Sequence, residues 1–187
     1  LTSSKAVQRA GFGPLLPDVH HVKYPDVRAI ESDLFARRVD PRDVAAIFVE
    51  PVQGEGGYIV PPRGFLTSLR QLCDRHGILL VCDEVQCGIG RTGRMFACEH
   101  EGIEPDILVT AKGLASGMPI GAMIAREAVM TWSAGAHGST FGGNPVCCAA
   151  ALATLDLVEG GLTTNACDMG AKLLSGLQRI AERHETI

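Results

Sequence analysis

The sequence predicts an α/β chain in which a mostly parallel sheet is flanked by helices. Two continuous apolar runs, Val44-Ala-Ala-Ile-Phe-Val49 and Ile78-Leu-Leu-Val-Cys-Asp83, have the pattern of strands buried in a parallel sheet. Between them, Phe65, Leu66, Leu69, Leu72 and Cys73 recur at helical spacing on one stripe. A strand, a helix and a strand joined by short links form the unit of a right-handed crossover.

The other elements follow in chain order. Residues 1–19 are punctuated by Gly11-Phe-Gly-Pro14 and Leu16-Pro-Asp18 and read as loop. Residues 19–24 are predicted as a short strand, with His20 and His21 on opposite faces. Apolar positions 30, 34, 35 and 39 predict a helix over 28–39 that stops before Pro41. Residues 44–49 are expected to be a fully buried strand leading through Glu50-Pro51 into the glycine-rich Gln53-Gly-Glu-Gly-Gly57. Pro61-Pro62 opens the next helix, to about His76, and Gly77 suits its C-terminal cap. After the strand over 78–83, residues 95–101 read as a short helix and 106–110 as a strand. Residues 120–125 read as one more strand, leading into a helix near 127–132. Residues 134–144 are loop, and Pro145 starts a long helix to about Val158, broken by Gly160-Gly161. Thr163 or Thr164 is expected to cap a last helix with Met169, Leu173, Leu177 and Ile180 on one stripe.

Size and composition bound the function. A chain of 187 residues holds one domain, or a domain and a piece of another. Seventeen basic and 21 acidic residues leave a net charge of −4, without the basic footprint of a nucleic-acid binder. No apolar run approaches the roughly 20 residues that span a bilayer, so no membrane partner is expected. The seven cysteines, at 73, 82, 87, 98, 147, 148 and 167, are odd in number and lack C-x-x-C spacing. A reduced, cytoplasmic compartment is expected. A zinc site from Cys98, His100 and a distant cysteine is the weaker reading, and no metal is expected.

Two motifs point to different cofactors. Gly88-Ile-Gly90-Arg-Thr-Gly93 matches G-x-G-x-x-G after a strand, with Asp106 further on. Asp83, Glu84 and Gln86 intervene between strand and glycines, and carboxylates beside a pyrophosphate repel it. The dinucleotide reading is therefore set aside. The stretch Cys82-Asp-Glu-Val-Gln86 instead delivers two carboxylates to the carboxyl end of a strand, where ligands bind in open α/β sheets. Some 29 residues later, Thr110-Ala-Lys-Gly-Leu-Ala-Ser-Gly117 places one lysine among small residues after another strand. A lysine in a dry pocket forms an imine with an aldehyde. A carboxylate against a pyridine nitrogen keeps it protonated and makes the ring an electron sink. Pyridoxal 5'-phosphate needs both, with donors for its phosphate such as those of Gly138-Ser-Thr140.

Six strings in order carry a family resemblance. They are Glu50-Pro-Val-Gln-Gly-Glu-Gly-Gly57, Asp83-Glu-Val-Gln86, Gly90-Arg-Thr-Gly93, Ala111-Lys-Gly-Leu114, Pro119-Ile-Gly-Ala122 and Gly138-Ser-Thr-Phe-Gly-Gly-Asn-Pro145. From about Gly11 onward the chain resembles the class III, or ω-, aminotransferases, pyridoxal-phosphate enzymes of fold type I. The resemblance implies an incomplete large domain over 1–158 and the start of a small C-terminal domain over 159–187. It implies that Lys112 forms the cofactor imine and shuttles the substrate proton, and that Asp83 pairs with the ring nitrogen. Val85 would pack on the ring and Gln86 would bond its hydroxyl side. Thr140, with Ser139 beside it, would reach the cofactor phosphate of a partner subunit, which implies a homodimer with a shared active site. Glu50 would buttress the site. Glu55 resembles the gate glutamate that releases an arginine for the α-carboxylate of glutamate or 2-oxoglutarate.

Gly13-Pro-Leu-Leu-Pro17 and the 50–57 string look most like 4-aminobutyrate aminotransferases, with the ornithine and acetylornithine enzymes close behind. The expected reaction moves an amino group from such an ω-amine donor to 2-oxoglutarate by a ping-pong route. An amino-acid racemase or aminomutase with the same cofactor, or an inactive truncated fragment, are the alternatives. The family's upstream phosphate loop, its ring-stacking aromatic and the arginine partner of Glu55 have no counterpart in this sequence.

Overall fold

The apolar runs do form one sheet. In the computed structural model, described for residues 5–184, the strands β1 (Ala46–Val49), β2 (Leu79–Asp83), β3 (Ile107–Thr110) and β4 (Ala122–Ala125) lie in that order. β1 and β2 are parallel, β2 and β3 are parallel, and β4 runs antiparallel to β3. The mostly parallel α/β sheet is as predicted.

The helices are α1 (Ala6–Arg9), α2 (Val27–Ala29), α3 (Phe65–His76), α4 (Pro145–Leu157) and α5 (Thr163–Ala181). One sheet face is closed by α3 and by the wide π-helical segment Ile30–Phe35, whose Ile30 and Leu34 are buried. Leu66, Leu69, Leu72 and Cys73 of α3 pack there with Val49, Leu80, Cys82 and Leu108 of the strands. This is the stripe that helical spacing predicted. Gly77 ends α3 at φ 68°, and its N–H donates to the Cys73 carbonyl, as a left-handed cap requires. The start of α3 is later than the Pro61-Pro62 signal. Gly64 precedes it, and the Glu101 carboxylate accepts from the Gly64 and Thr67 N–H groups.

Several expectations are corrected. β1 is an edge strand among the described residues, and Phe48 on its outer face is 66% exposed. A run of apolar residues cannot tell an edge from a centre, so full burial does not hold here. Residues 19–24 form no strand: Tyr24-Pro25 is a cis turn, and His20 and His21 are exposed. The helix near 127–132 shrinks to a 3₁₀ turn, Glu127–Val129, and that over 95–101 to a 3₁₀ turn, Ala97–Glu101. Neither Thr163 nor Thr164 caps α5; Leu162 stands at that position with no side-chain bond. The stripe of Met169, Leu173, Leu177 and Ile180 exists but is solvent-facing in this chain.

α4 and α5 follow each other across a kink. Gly161, at φ 136°, carries the break that Gly160-Gly161 announced. Taken as one run, Pro145–Ala181 is long and apolar enough to cross a bilayer by length and composition. Apolar run length alone did not foresee this. The kink and the charges Asp156, Glu159, Asp168 and Lys172 interrupt it. Buried Cys147, Ala151 and Val158 on its inner side face protein.

Candidate active site

The parallel strands aim their carboxyl ends at one cavity. β1 leads into Glu50, β2 ends at Asp83, and β3 leads through Thr110 to Lys112. Glu50, Glu55, Asp83, Val85, Gln86 and Lys112 line a cavity of about 210 Å³. Six of the eight residues singled out from sequence therefore meet in one place. Ser139 and Thr140 do not. They lie in the exposed 134–144 loop, where the Ser139 hydroxyl accepts from the Gly142 N–H at 3.0 Å.

Asp83 and Glu84 are consecutive, and the strand pleat sends them to opposite sides. Asp83 lines the cavity, and its Oδ1 accepts from the Val85 N–H at 3.0 Å, closing a tight turn. Glu84 is wholly buried instead. Its carboxylate accepts from the backbone N–H groups of Cys98 at 2.8 Å and Ala97 at 3.0 Å, and from the Cys87 thiol at 3.0 Å. Burial, and then the Glu84 carboxylate, push the Cys87 thiol up, so it stays a proton donor. The expectation that both carboxylates face the ligand end is corrected: one faces it, and the other staples the 83–86 turn to the turn at 97–101. Strand alternation was the signal available for this.

Lys112 sits at φ 43°, a left-handed conformation that costs a lysine energy. The turn Lys112–Ala115 holds it there. Leu114 and Ala115 are buried against Ala151 and Val158 of the α4 side, and the Ser116 and Thr154 hydroxyls meet at 3.0 Å. The lysine amine donates to Gln86 Oε1. Gln86 Nε2 in turn donates to the Tyr58 hydroxyl at 3.4 Å, a contact sequence reasoning missed. Glu50 Oε2 accepts from the Gly54 N–H at 2.8 Å, fixing the glycine-rich turn that carries Glu55.

The G-x-G-x-x-G string has a packing explanation. A Cβ at Gly88 would stand 2.7 Å from the Glu84 carbonyl oxygen; at Gly90 it would meet Val158, and at Gly93 Cys167, each at 3.1 Å. The string fits against the α4–α5 kink. Asp106 is equally structural: it accepts from the Leu80 N–H and pairs with Arg70, both at 2.7 Å, at the opposite end of the strands. No group of three potential metal ligands occurs among the described residues. Cys98 is buried, and His100 Nε2 donates to the Thr92 carbonyl at 3.0 Å.

A carboxylate and a primary amine face one cavity at the ends of adjacent parallel strands, an arrangement that suits a carbonyl-bearing cofactor. The chain belongs to the class-III aminotransferases, whose family matches residues 1–187. It is 50% identical to a putrescine aminotransferase of Pectobacterium atrosepticum, over 97% of this chain and 40% of that protein. The ornithine aminotransferase of Toxoplasma gondii superposes with a TM-score of 0.86 at 41% identity, over 94% of this chain and 41% of that one. The acetylornithine aminotransferase of Elizabethkingia anophelis gives a TM-score of 0.83 at 40% identity, over 92% and 43%. The chain thus spans about two fifths of the length of these relatives. A further Toxoplasma gondii ornithine aminotransferase structure reports partial occupancy of pyridoxal phosphate at its active site.

Proposed function

We propose that the protein carrying this chain is a pyridoxal-phosphate-dependent aminotransferase. It takes the amino group of a donor with a terminal primary amine and passes it to 2-oxoglutarate by a ping-pong route. The carrying observation is the shared cavity of Asp83 and Lys112. The residues present fit the ring half of the cofactor: one acid, one amine and the apolar Val85 line one cavity.

When bound, pyridoxal phosphate supplies an aldehyde and an electron-withdrawing ring. Lys112 would hold that group through its amine and would be the base placed to move a proton at the amine-bearing carbon of the substrate. Asp83 holds a proton on the ring nitrogen. Val85 packs against the ring, and Gln86 orients its hydroxyl side. Glu50 keeps the glycine-rich turn in place, and Glu55 presents a carboxylate at the substrate side. Ser139 and Thr140 serve the phosphate of the partner subunit in a homodimer. Residues 1–158 belong to the large domain, and residues 159–187 open the small one. Seven free cysteines accord with a cytoplasmic protein.

The donor class is the ω-amines. 4-Aminobutyrate, ornithine and acetylornithine fit it, and the likeness to a putrescine aminotransferase adds short diamines. The test is a donor panel with 2-oxoglutarate and the full-length protein. Glutamate should form with at least one ω-amine and vanish in Lys112→Ala together with the visible cofactor absorbance. Retained transamination in Lys112→Ala, or racemised amino acid without keto acid, overturns the reading.

A further inference from the structure

We propose that Tyr58 is a positioning residue for Lys112, acting through the side-chain amide of Gln86, and that Gly54 is the seat on which that amide rests. The inference rests on the reading of Lys112 as the amine of the site.

The amide of Gln86 has two chemically opposite ends, a carbonyl that accepts and an NH₂ that donates. Its Oε1 accepts from Lys112 Nζ, and its Nε2 donates to Tyr58 Oη at 3.4 Å. Turning the amide over would aim N–H groups at an ammonium that can only donate. The lysine therefore sets the orientation, and the Tyr58 hydroxyl, which can donate or accept, accepts from Nε2 in that orientation and anchors the far end of the amide. Tyr58 thereby restrains the Gln86 amide where it meets Lys112, without choosing which end of it the lysine meets.

The turn that carries Tyr58 is fixed to the same residue a second way. Gln53 and Ile59 exchange backbone hydrogen bonds of 3.0 and 3.1 Å, and the Gly54 carbonyl accepts from the N–H groups of Gly57 and Tyr58. This closure holds Tyr58 at φ 53°, uncommon for an aromatic residue. The stem of Gln86 lies directly over Gly54. A Cβ there would stand 2.7 Å from Gln86 Cγ and 3.2 Å from its Cβ, so any side chain at 54 displaces the glutamine. Tyr58 itself is 72% exposed, so removing its hydroxyl leaves the core untouched.

The test uses the full-length protein freed of cofactor, so that its readout is the lysine and not turnover. Lys112 is labelled with formaldehyde and cyanoborohydride at fixed pH, and its rate is followed by peptide mass spectrometry. Tyr58→Phe should change that rate roughly two- to ten-fold, the size of one net hydrogen bond, with other lysines and the melting temperature unchanged. In a Gln86→Ala background the same substitution should change nothing further. Gly54→Ala should move the Lys112 rate in the same direction as Gln86→Ala. A wild-type rate in Tyr58→Phe, or an equal change with Gln86 absent, overturns the role of Tyr58. A wild-type rate in Gly54→Ala overturns the seat. Failure of the proposed reaction would appear separately, as transamination that survives Lys112→Ala.

Discussion

Glu84 is the residue whose loss should be felt most. It is wholly buried, and three donors converge on its carboxylate. Glu84→Ala leaves two backbone N–H groups and a thiol without an acceptor in the interior, at about 3 kcal/mol in all. Denaturant unfolding of the full-length protein should show that loss. Glu84→Gln should recover only part of it, because one oxygen becomes an NH₂ group that faces donors. Asp106 gives a pH signature. Burial raises its carboxyl, but the Leu80 N–H and the Arg70 and Arg126 guanidinium groups outweigh this and hold it below the ordinary range. An acid lowered in the folded state stabilises above its unfolded value, near 3.9, and that contribution fades as pH falls through the folded value. The melting-temperature gap between wild type and Asp106→Asn should therefore be widest near neutrality and close below about pH 4. A gap that persists unchanged into acid would mean that the aspartate contributes by shape and not by charge.

At the level of elements, α3 shows what was legible and what was not. Its buried stripe and its Gly77 cap follow from spacing and from the left-handed freedom of glycine, and both were readable in the string itself. Its N-terminal cap was not. The Glu101 carboxylate bonds the Gly64 N–H at 3.1 Å, the Thr67 N–H at 2.9 Å and the Thr67 hydroxyl at 3.0 Å, from a separate turn. A cap supplied from another element leaves no local pattern, which is why Pro61-Pro62 looks like the helix start in sequence. Glu101→Ala should lower stability by about 1 to 2 kcal/mol, read as a shift in unfolding midpoint without a change in its slope. The same limit applies to the site. Asp83, Val85, Gln86 and Lys112 were legible because strand ends and short strings mark them. Tyr58 was not, because its contact with Gln86 depends on a turn in which a tyrosine adopts a positive φ. The exposure of Phe48 was equally hidden, since an apolar run records what a strand prefers and not how many neighbours it has.

At the scale of the whole molecule, the distribution of ligands bears on assembly. Asp83, Val85, Gln86 and Lys112 are gathered in one cavity, while Ser139 and Thr140 stand apart from it on an exposed loop. If Thr140 serves the cofactor of a second subunit, each active site combines Lys112 of one chain with Thr140 of the other. This makes a complementation experiment decisive. Full-length Lys112→Ala lacks the amine, and full-length Thr140→Ala should bind cofactor too weakly to turn over when the cofactor is scarce. A heterodimer of the two has one site with both substitutions and one with neither. Random reassociation of an equal mixture makes half of the dimers mixed, and half of their sites intact, so about a quarter of wild-type activity should return. If both residues act within the same chain, every site in the mixture carries one defect and no activity returns. The stoichiometry of recovery therefore separates a shared site from a self-contained one without a structure of the assembly.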